Sequence, residues 1–313
     1  VRARAGKPFG NSLVYFTGGV AYIDGDVSVL DGQESVSVSE YGVVLGAGVA
    51  TRIAPNVSFA VEGFWTHFDS SVDLSNVAFG GTGDRFNLDE TYTARFALNY
   101  HFGNGVGSQA AYGTKADNHW DGFHFGGQFG LGSLRTKGIW DSGGATVDLA
   151  GVSDPGVIYG AQVGWSHVSG QWLLGVEADI SGVDWTGSSG PDFDDDTHRL
   201  ETNFVSTLRG RVGRISGNSM VFATAGAAYV DTELTTEISG GFSGNRRSVD
   251  AWGGVVGAGV ETFVSPRMSI KSEALYLIMD ETNDLVGLPD RDTGDSISLD
   301  DGFLFRIGLN WNL

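Results

Sequence analysis

The chain has 313 residues, room for one large domain or two ordinary ones, and its 38 acidic against 19 basic side chains give a net charge of −19. That balance argues against a nucleic-acid partner, which needs a basic surface. The absence of cysteine excludes a disulfide framework, a thiolate metal site and a cysteine nucleophile.

Forty-nine glycines among abundant aromatics suit extended chain better than helix. No apolar run is long enough for a transmembrane helix, which leaves a barrel open, since a barrel strand needs apolar residues only at alternate positions. The first hundred residues predict a truncated strand near 1–7 and four strands near 12–24, 36–52, 57–69 and 91–102. A turn at Pro8–Asn11, a loop near 25–35, a turn at Pro55–Asn56 and a loop near 70–90 join them. The polar, small-residue stretch that follows reads as a linker. Eight strands are expected after it, near 121–134, 156–168, 171–183, 200–215, 218–234, 249–264, 268–280 and 302–313. Their connections alternate between tight turns (Ser169–Gly170, Ser216–Gly217, Ser265–Arg267) and long polar loops near 135–155, 184–199, 235–248 and 281–301. Short turns on one side and long loops on the other are the pattern of a transmembrane barrel.

The two regions repeat one another. Val1–Asp24 matches Leu208–Asp231, Tyr41–Asp69 matches Trp252–Asp280, and Arg95–Phe102 matches Arg306–Leu313. The chain lacks an initiating Met and opens inside a repeat-matched strand, which predicts a mature chain or fragment whose export signal lies elsewhere.

Period-two alternation assigns the faces. In the last strand Phe303, Phe305, Ile307, Leu309, Trp311 and Leu313 share one face, with Arg306, Gly308, Asn310 and Asn312 on the other. Opposite the apolar faces stand His124, Gln128, Gln162, Glu177, Asp179, Arg209, Arg211, Glu261, Lys271, Glu273 and Arg306; Arg2, Arg4, Glu62 and Arg95 are their counterparts in the first copy. A dry soluble core does not hold that many ions, whereas a narrow barrel interior holds them if acids and bases pair. The expected lumen network is therefore Glu177, Asp179, Arg209, Arg211, Glu261, Lys271, Glu273 and Arg306 with Arg2, Arg4, Glu62 and Arg95. The competing reading is a soluble sandwich that wears these charges outside. Trp120, Phe123, Trp165, Trp172 and Trp311 cluster beside the short turns, where an interfacial aromatic girdle would lie.

The segments 120–132, 157–182 and 208–231 with the terminal RIGLNWNL resemble the eight-stranded outer-membrane immunogenic or porin-family proteins of Gram-negative bacteria, similar in architecture to the transmembrane domain of outer-membrane protein A. Such barrels often end in Phe; this chain ends in Leu313, while Phe102 holds the matching place in the first copy. The resemblance implies an integral outer-membrane location, a part in envelope integrity, surface exposure and at most modest diffusion of small solutes; lipid, lipopolysaccharide and the barrel-assembly machinery are the expected partners, and no cofactor is expected.

The expected fold is all-β: an antiparallel up-and-down transmembrane barrel of eight strands in 119–313, a partial barrel repeat of four to five strands in 1–104, and a linker at 105–118. The leading reading of function is a non-enzymatic structural barrel with a salt-bridged, largely closed lumen. One alternative is a diffusion porin, formed if the half-copy merges into one barrel of about twelve strands. Another is a surface adhesin or surface enzyme using the acidic loops.

Those loops carry Asp192, Asp194, Asp195 and Asp196, and Asp280, Glu281, Asp284, Asp290, Asp292, Asp295, Asp300 and Asp301. Divalent cations are the ligand such oxygens favour; the plainer reading is a solvated surface. The six histidines show no zinc spacing, no nucleophile motif accompanies His198, and GAGVA (46–50) and GAGVE (257–261) read as strand glycines that make room for bulky neighbours.

Overall fold

The computed structural model describes residues 1–29, 34–73, 85–101, 120–142, 145–149, 156–188, 197–238, 242–279, 281–284 and 296–313. They form two antiparallel sheets. The first is β1 (Arg2–Phe9), β2 (Ser12–Val29), β3 (Glu34–Ala54), β4 (Val57–Asp73) and β5 (Arg85–Tyr100), each strand bonded to the next. The second has eight long strands: β6 (Gly122–Ser142), β8 (Gly156–Ser169), β9 (Trp172–Ser188), β10 (Thr197–Ser216), β11 (Ser219–Ile238), β13 (Ala251–Phe263), β14 (Met268–Met279) and β16 (Ser296–Asn312). Short strands β7 (Ala145–Leu149), β12 (Phe242–Ser248) and β15 (Glu281–Asp284) extend the hairpins on the loop side.

The eight strands close on themselves, because β16 pairs with β14 on one side and β6 on the other. Closure leaves no open edge in the barrel wall, which a sheet in hydrocarbon requires. Tight turns hold the register on one side: Gly170 and Gly217 adopt φ of 63° and 62°, a left-handed conformation that disfavours a Cβ.

Two expectations need correction. A merged barrel of about twelve strands is not what forms: β5 pairs with β4, and the place beside β6 is taken by β16. The strands also run well past their expected ends. β6 continues to Ser142, β10 begins at Thr197, β11 continues to Ile238 and β16 begins at Ser296, so much of what reads as loop is hairpin. The phase of alternation slips there. Register shifts at Thr202/Phe204 on β10 and Leu299/Gly302 on β16 are β-bulges that move the side chains beyond them to the opposite parity.

The five-stranded sheet lays its outward face on the barrel's outward face. Val49 and Val61 pack with Val260, Ala274 and Phe305, and Val14, Phe59, Val221 and Ile270 surround them. A Cβ on Gly63 would collide with the Phe305 ring, so the missing side chain permits the approach. The Ser12 and Ser219 hydroxyls bond at 2.6 Å, and Ser272 Oγ donates to the Val61 carbonyl at 3.2 Å. Ser12 and Ser219, Val14 and Val221, Val49 and Val260, and Phe59 and Ile270 are matched positions of the repeat. Each unit thus presents the same stretch to the other, as in an isologous contact.

Candidate functional site: the barrel interior

Inward positions of the barrel stack in three layers. Nearest the short turns, Trp120, Leu173, Ile215, Met220, Phe222 and Phe263 form a buried apolar cluster. Above it lies an ionic layer, and above that a second apolar cluster that includes Leu134, Ile158, Trp185, Leu200, Val205, Val230, Leu234, Leu277, Leu299 and Leu304.

Four bases and four acids interleave in the ionic layer. Arg209 Nη2 donates to Glu177 Oε1 at 2.6 Å and Asp179 Oδ2 at 3.0 Å, while its Nη1 reaches Glu273 Oε2 at 3.0 Å. Arg306 Nη1 donates to Asp179 Oδ1 at 2.7 Å and its Nη2 to Glu273 Oε1 at 2.8 Å. Lys271 Nζ sits 2.7 Å from Glu177 and 3.1 Å from Glu273. Arg211 Nη1 donates to Glu261 Oε2 at 3.0 Å. His124, Gln128, Gln162, Ser166, Thr207, Ser269 and Asn310 complete the shell; Gln162 Oε1, for example, accepts from Lys271 Nζ at 2.6 Å. All eight ions are buried. Each is placed against opposite charge and hydrogen-bonding groups, the condition under which a desolvated ion is tolerated.

The strands dictate this placement. On β10, β14 and β16 the inward charges sit two residues apart or opposite one another in register, so Arg209 faces Glu177 across the β9–β10 pair and Arg306 faces Glu273 across β14–β16. The glycines of GAGVE make room: a Cβ on Gly259 would strike the Phe222 ring and one on Gly257 the Leu275 side chain.

Arg2, Arg4, Glu62 and Arg95, expected in the same network, lie apart from it. Glu62 accepts from Arg4 at 3.4 Å, from Tyr15 at 3.0 Å and from Arg95 Nε at 3.0 Å, and the Arg2 guanidinium lies over the Phe64 ring. Instead they line the face of the five-stranded sheet that is turned away from the barrel.

The outward face of the barrel is banded. Leu174, Val176, Ile180, Leu208, Val212 and Leu309 are exposed, bounded on the turn side by Phe123, Trp165, Trp172 and Trp311 and on the loop side by Tyr159, Trp252 and Tyr276. On β11 the band runs from Val221 to Tyr229. From Val221 to Tyr229 the strand rises ~27 Å along its own direction and ~21 Å along the barrel axis at a tilt of ~40°, against an apolar band of ~25 Å in transmembrane barrels. Trp120 does not join the girdle. It is buried inside the turn end, edge-on to Phe263 with centroids 4.5 Å apart, because it precedes β6 and folds under the barrel mouth.

Beyond the band the surface turns polar, with Arg199 2.7 Å from Glu201 and Asn203 donating to Asp231 at 2.7 Å. The upper apolar layer was missed by sequence reasoning. For Leu200, Ile297 and Leu299 the signal was alternation resumed after a one-residue slip, whereas Leu134, Ile158, Val205, Val230, Leu277 and Leu304 continue the inward parity of expected strands. The loop residues Asp192, Asp194, Asp195, Asp196, Asp280, Asp290, Asp292 and Asp295 lie outside the described residues.

A closed antiparallel barrel with an apolar outer belt, aromatic rims and ions turned inward defines an integral outer-membrane β-barrel protein. No protein-family model matches the chain. The 22 kDa outer membrane protein of Rhizobium leguminosarum bv. viciae is 28% identical over 165 residues, which cover 52% of this chain and 66% of that protein. The match thus spans just under two thirds of that relative's length. Among solved structures, outer membrane protein OprG from Pseudomonas aeruginosa is similar at 14% identity and a TM-score of 0.39, covering 62% of this chain and 98% of that one. The outer membrane protease OmpT from Escherichia coli is similar at 8% identity and a TM-score of 0.37, covering 96% of each. Likeness at these scores says nothing about role.

Proposed function

We propose that this is a non-enzymatic outer-membrane barrel with a structural, envelope-integrity role and a salt-bridged, largely closed lumen. The observation that carries the reading is the stacking of a charge-balanced ionic layer between two apolar layers, which leaves the axis lined by side chains that contact one another. An eight-stranded barrel is just wide enough for side chains to fill. The full chain refolded into planar bilayers is expected to give no stable conductance steps. Large, long-lived, cation-selective channels would overturn the proposal.

The organisation proposed with it is a partial barrel repeat in 1–104, a linker in 105–118 and a complete barrel in 119–313. Lipid and lipopolysaccharide are the proposed surroundings, the barrel-assembly machinery the proposed insertion partner, and divalent cations the proposed ligands of the acidic loops. A second reading, a surface adhesin or surface enzyme, is favoured by one feature: hairpins that continue above the apolar band. On β10, Thr197–Phe204 would stand roughly 20 Å clear of it. Binding of whole cells and lipid hydrolysis by cells displaying the protein separate this reading from the first.

A further inference from the structure

The five-stranded sheet carries half of a barrel's inward charges without the strands that answer them. Arg2, Arg4, Glu62 and Arg95 hold the repeat positions of Arg209, Arg211, Glu273 and Arg306. Lys271 and Glu261 are replaced by Ala60 and Ala50, so one cation and one anion drop out together. Three arginines are left against Glu62, two positive charges in excess. In the barrel, the strand next to β10 supplies two carboxylates at that place: Glu177 lies 2.6 Å from Arg209, and Asp179 lies 2.7 Å from Arg306. The exposure follows the charge. The side chains of Arg4 and Arg95 are 41% and 45% exposed, while that of Arg209 is 1% exposed.

The same sheet ends in two edges. Among the described residues β1 bonds only to β2, and β5 only to β4. An edge of unpaired N–H and C=O groups is not stable in hydrocarbon. Strand direction limits what covers it. Neighbours alternate, so β1 and β5 run the same way. A second copy inserted in the same sense would therefore meet these edges in parallel, against the antiparallel pattern of the fold. An odd number of inserted strands restores alternation, and three makes eight, the number the adjoining barrel uses.

We infer that these two edges are the docking site of a three-stranded antiparallel β-segment of the kind that β6, β8 and β9 form, which brings two inward carboxylates to Arg2, Arg4 and Arg95 and closes a second eight-stranded barrel. Its first strand pairs with β5 as β6 does with β16, and its last pairs with β1 as β9 does with β10.

The chain itself contains a fitting probe. Residues 119–207 are duplicated ahead of Val1 in the full chain, which has no cysteine to interfere. Gly210, the repeat match of Ala3, pairs with Val176. Ala3→Cys with Val176→Cys in the added segment is expected to cross-link at least ~10-fold more than Ala3→Cys with Ile180→Cys there, since a disulfide needs close Cβ atoms. Equal yields would overturn the docking. Glu177→Gln with Asp179→Asn in the added segment is expected to return cross-linking toward the off-register level; undiminished yield would overturn the role given to charge. A measurement on the chain without the addition stands apart from whether the longer one folds. Outward-directed amides of β1 and β5 are expected to exchange hydrogen at least ~100-fold faster than those of β3, and equal protection would mean that the edges are already satisfied.

Discussion

The lower and upper halves of the barrel invert one another. Near the short turns, β10 sends Leu208 and Val212 outward and Arg209 and Arg211 inward; near its other end it sends Arg199 and Asn203 outward and Leu200 and Val205 inward. One strand thus obeys the rule for a wall in lipid and then the rule for a wall in water. The lower half spends most of its apolar residues on hydrocarbon, encloses one apolar cluster at the turn end, and must neutralise the ions above it. The upper half, standing in water, builds an ordinary hydrophobic core. The bulge at Thr202/Phe204 lies near the change and shifts the parity of the inward row.

The largest effect should come from unbalancing the lower half. Arg306→Ala leaves Asp179 and Glu273 short of a cation in a buried site, and breaking such a pair costs about 3–5 kcal/mol. Urea unfolding of the protein refolded in lipid vesicles measures it. A loss below about 1 kcal/mol would mean that water screens the layer and that the two halves do not differ as described. Leu299→Ala tests the other half by the same method. Leu299 is fully buried in the upper cluster, and the cavity should cost about 2–5 kcal/mol. A negligible cost would make the upper interior wet, and the inversion would then be one of surface alone.

The lower half was legible in the sequence, the upper half much less so. Phe303 to Leu313 alternates without interruption, and the charges opposite it fall at repeat-matched positions, so faces and partners followed from parity alone. Above Gly302 the same parity points the wrong way, because the one extra residue of the bulge puts Leu299 and Ile297 inside. Asp300 and Asp301 sit at that bulge, which made the segment read as loop although Ser296–Asn312 is one strand. Trp120 was misplaced for a related reason: proximity to the turns fixes a residue's height along the barrel but not which side of the wall it takes. The separation of Arg2, Arg4, Glu62 and Arg95 from the barrel's network depends on which strands pair, and two similar copies of a strand leave pairing undetermined at the level of pattern.

The outer surfaces give the sharper contrast. Val176 is 53% exposed within the apolar belt, away from the strands that meet the five-stranded sheet. Val176→Arg should destabilise the protein in bilayers by about 2–4 kcal/mol, the depth-dependent cost of an arginine facing lipid near the midplane. Little change would mean that this face does not meet hydrocarbon.

The smallest expected effect belongs to the matching substitution above the belt. Asn203 is exposed and bonds to Asp231 at 2.7 Å, so Asn203→Lys replaces a neutral donor with a charged one beside the same carboxylate, in water. Stability should move by no more than about 0.5 kcal/mol, as at other solvated surface positions. The comparison rests on the pair: equal costs for a cation at positions 176 and 203 would erase the boundary between the halves, whereas a gap of about 2 kcal/mol or more would place that boundary between these two residues.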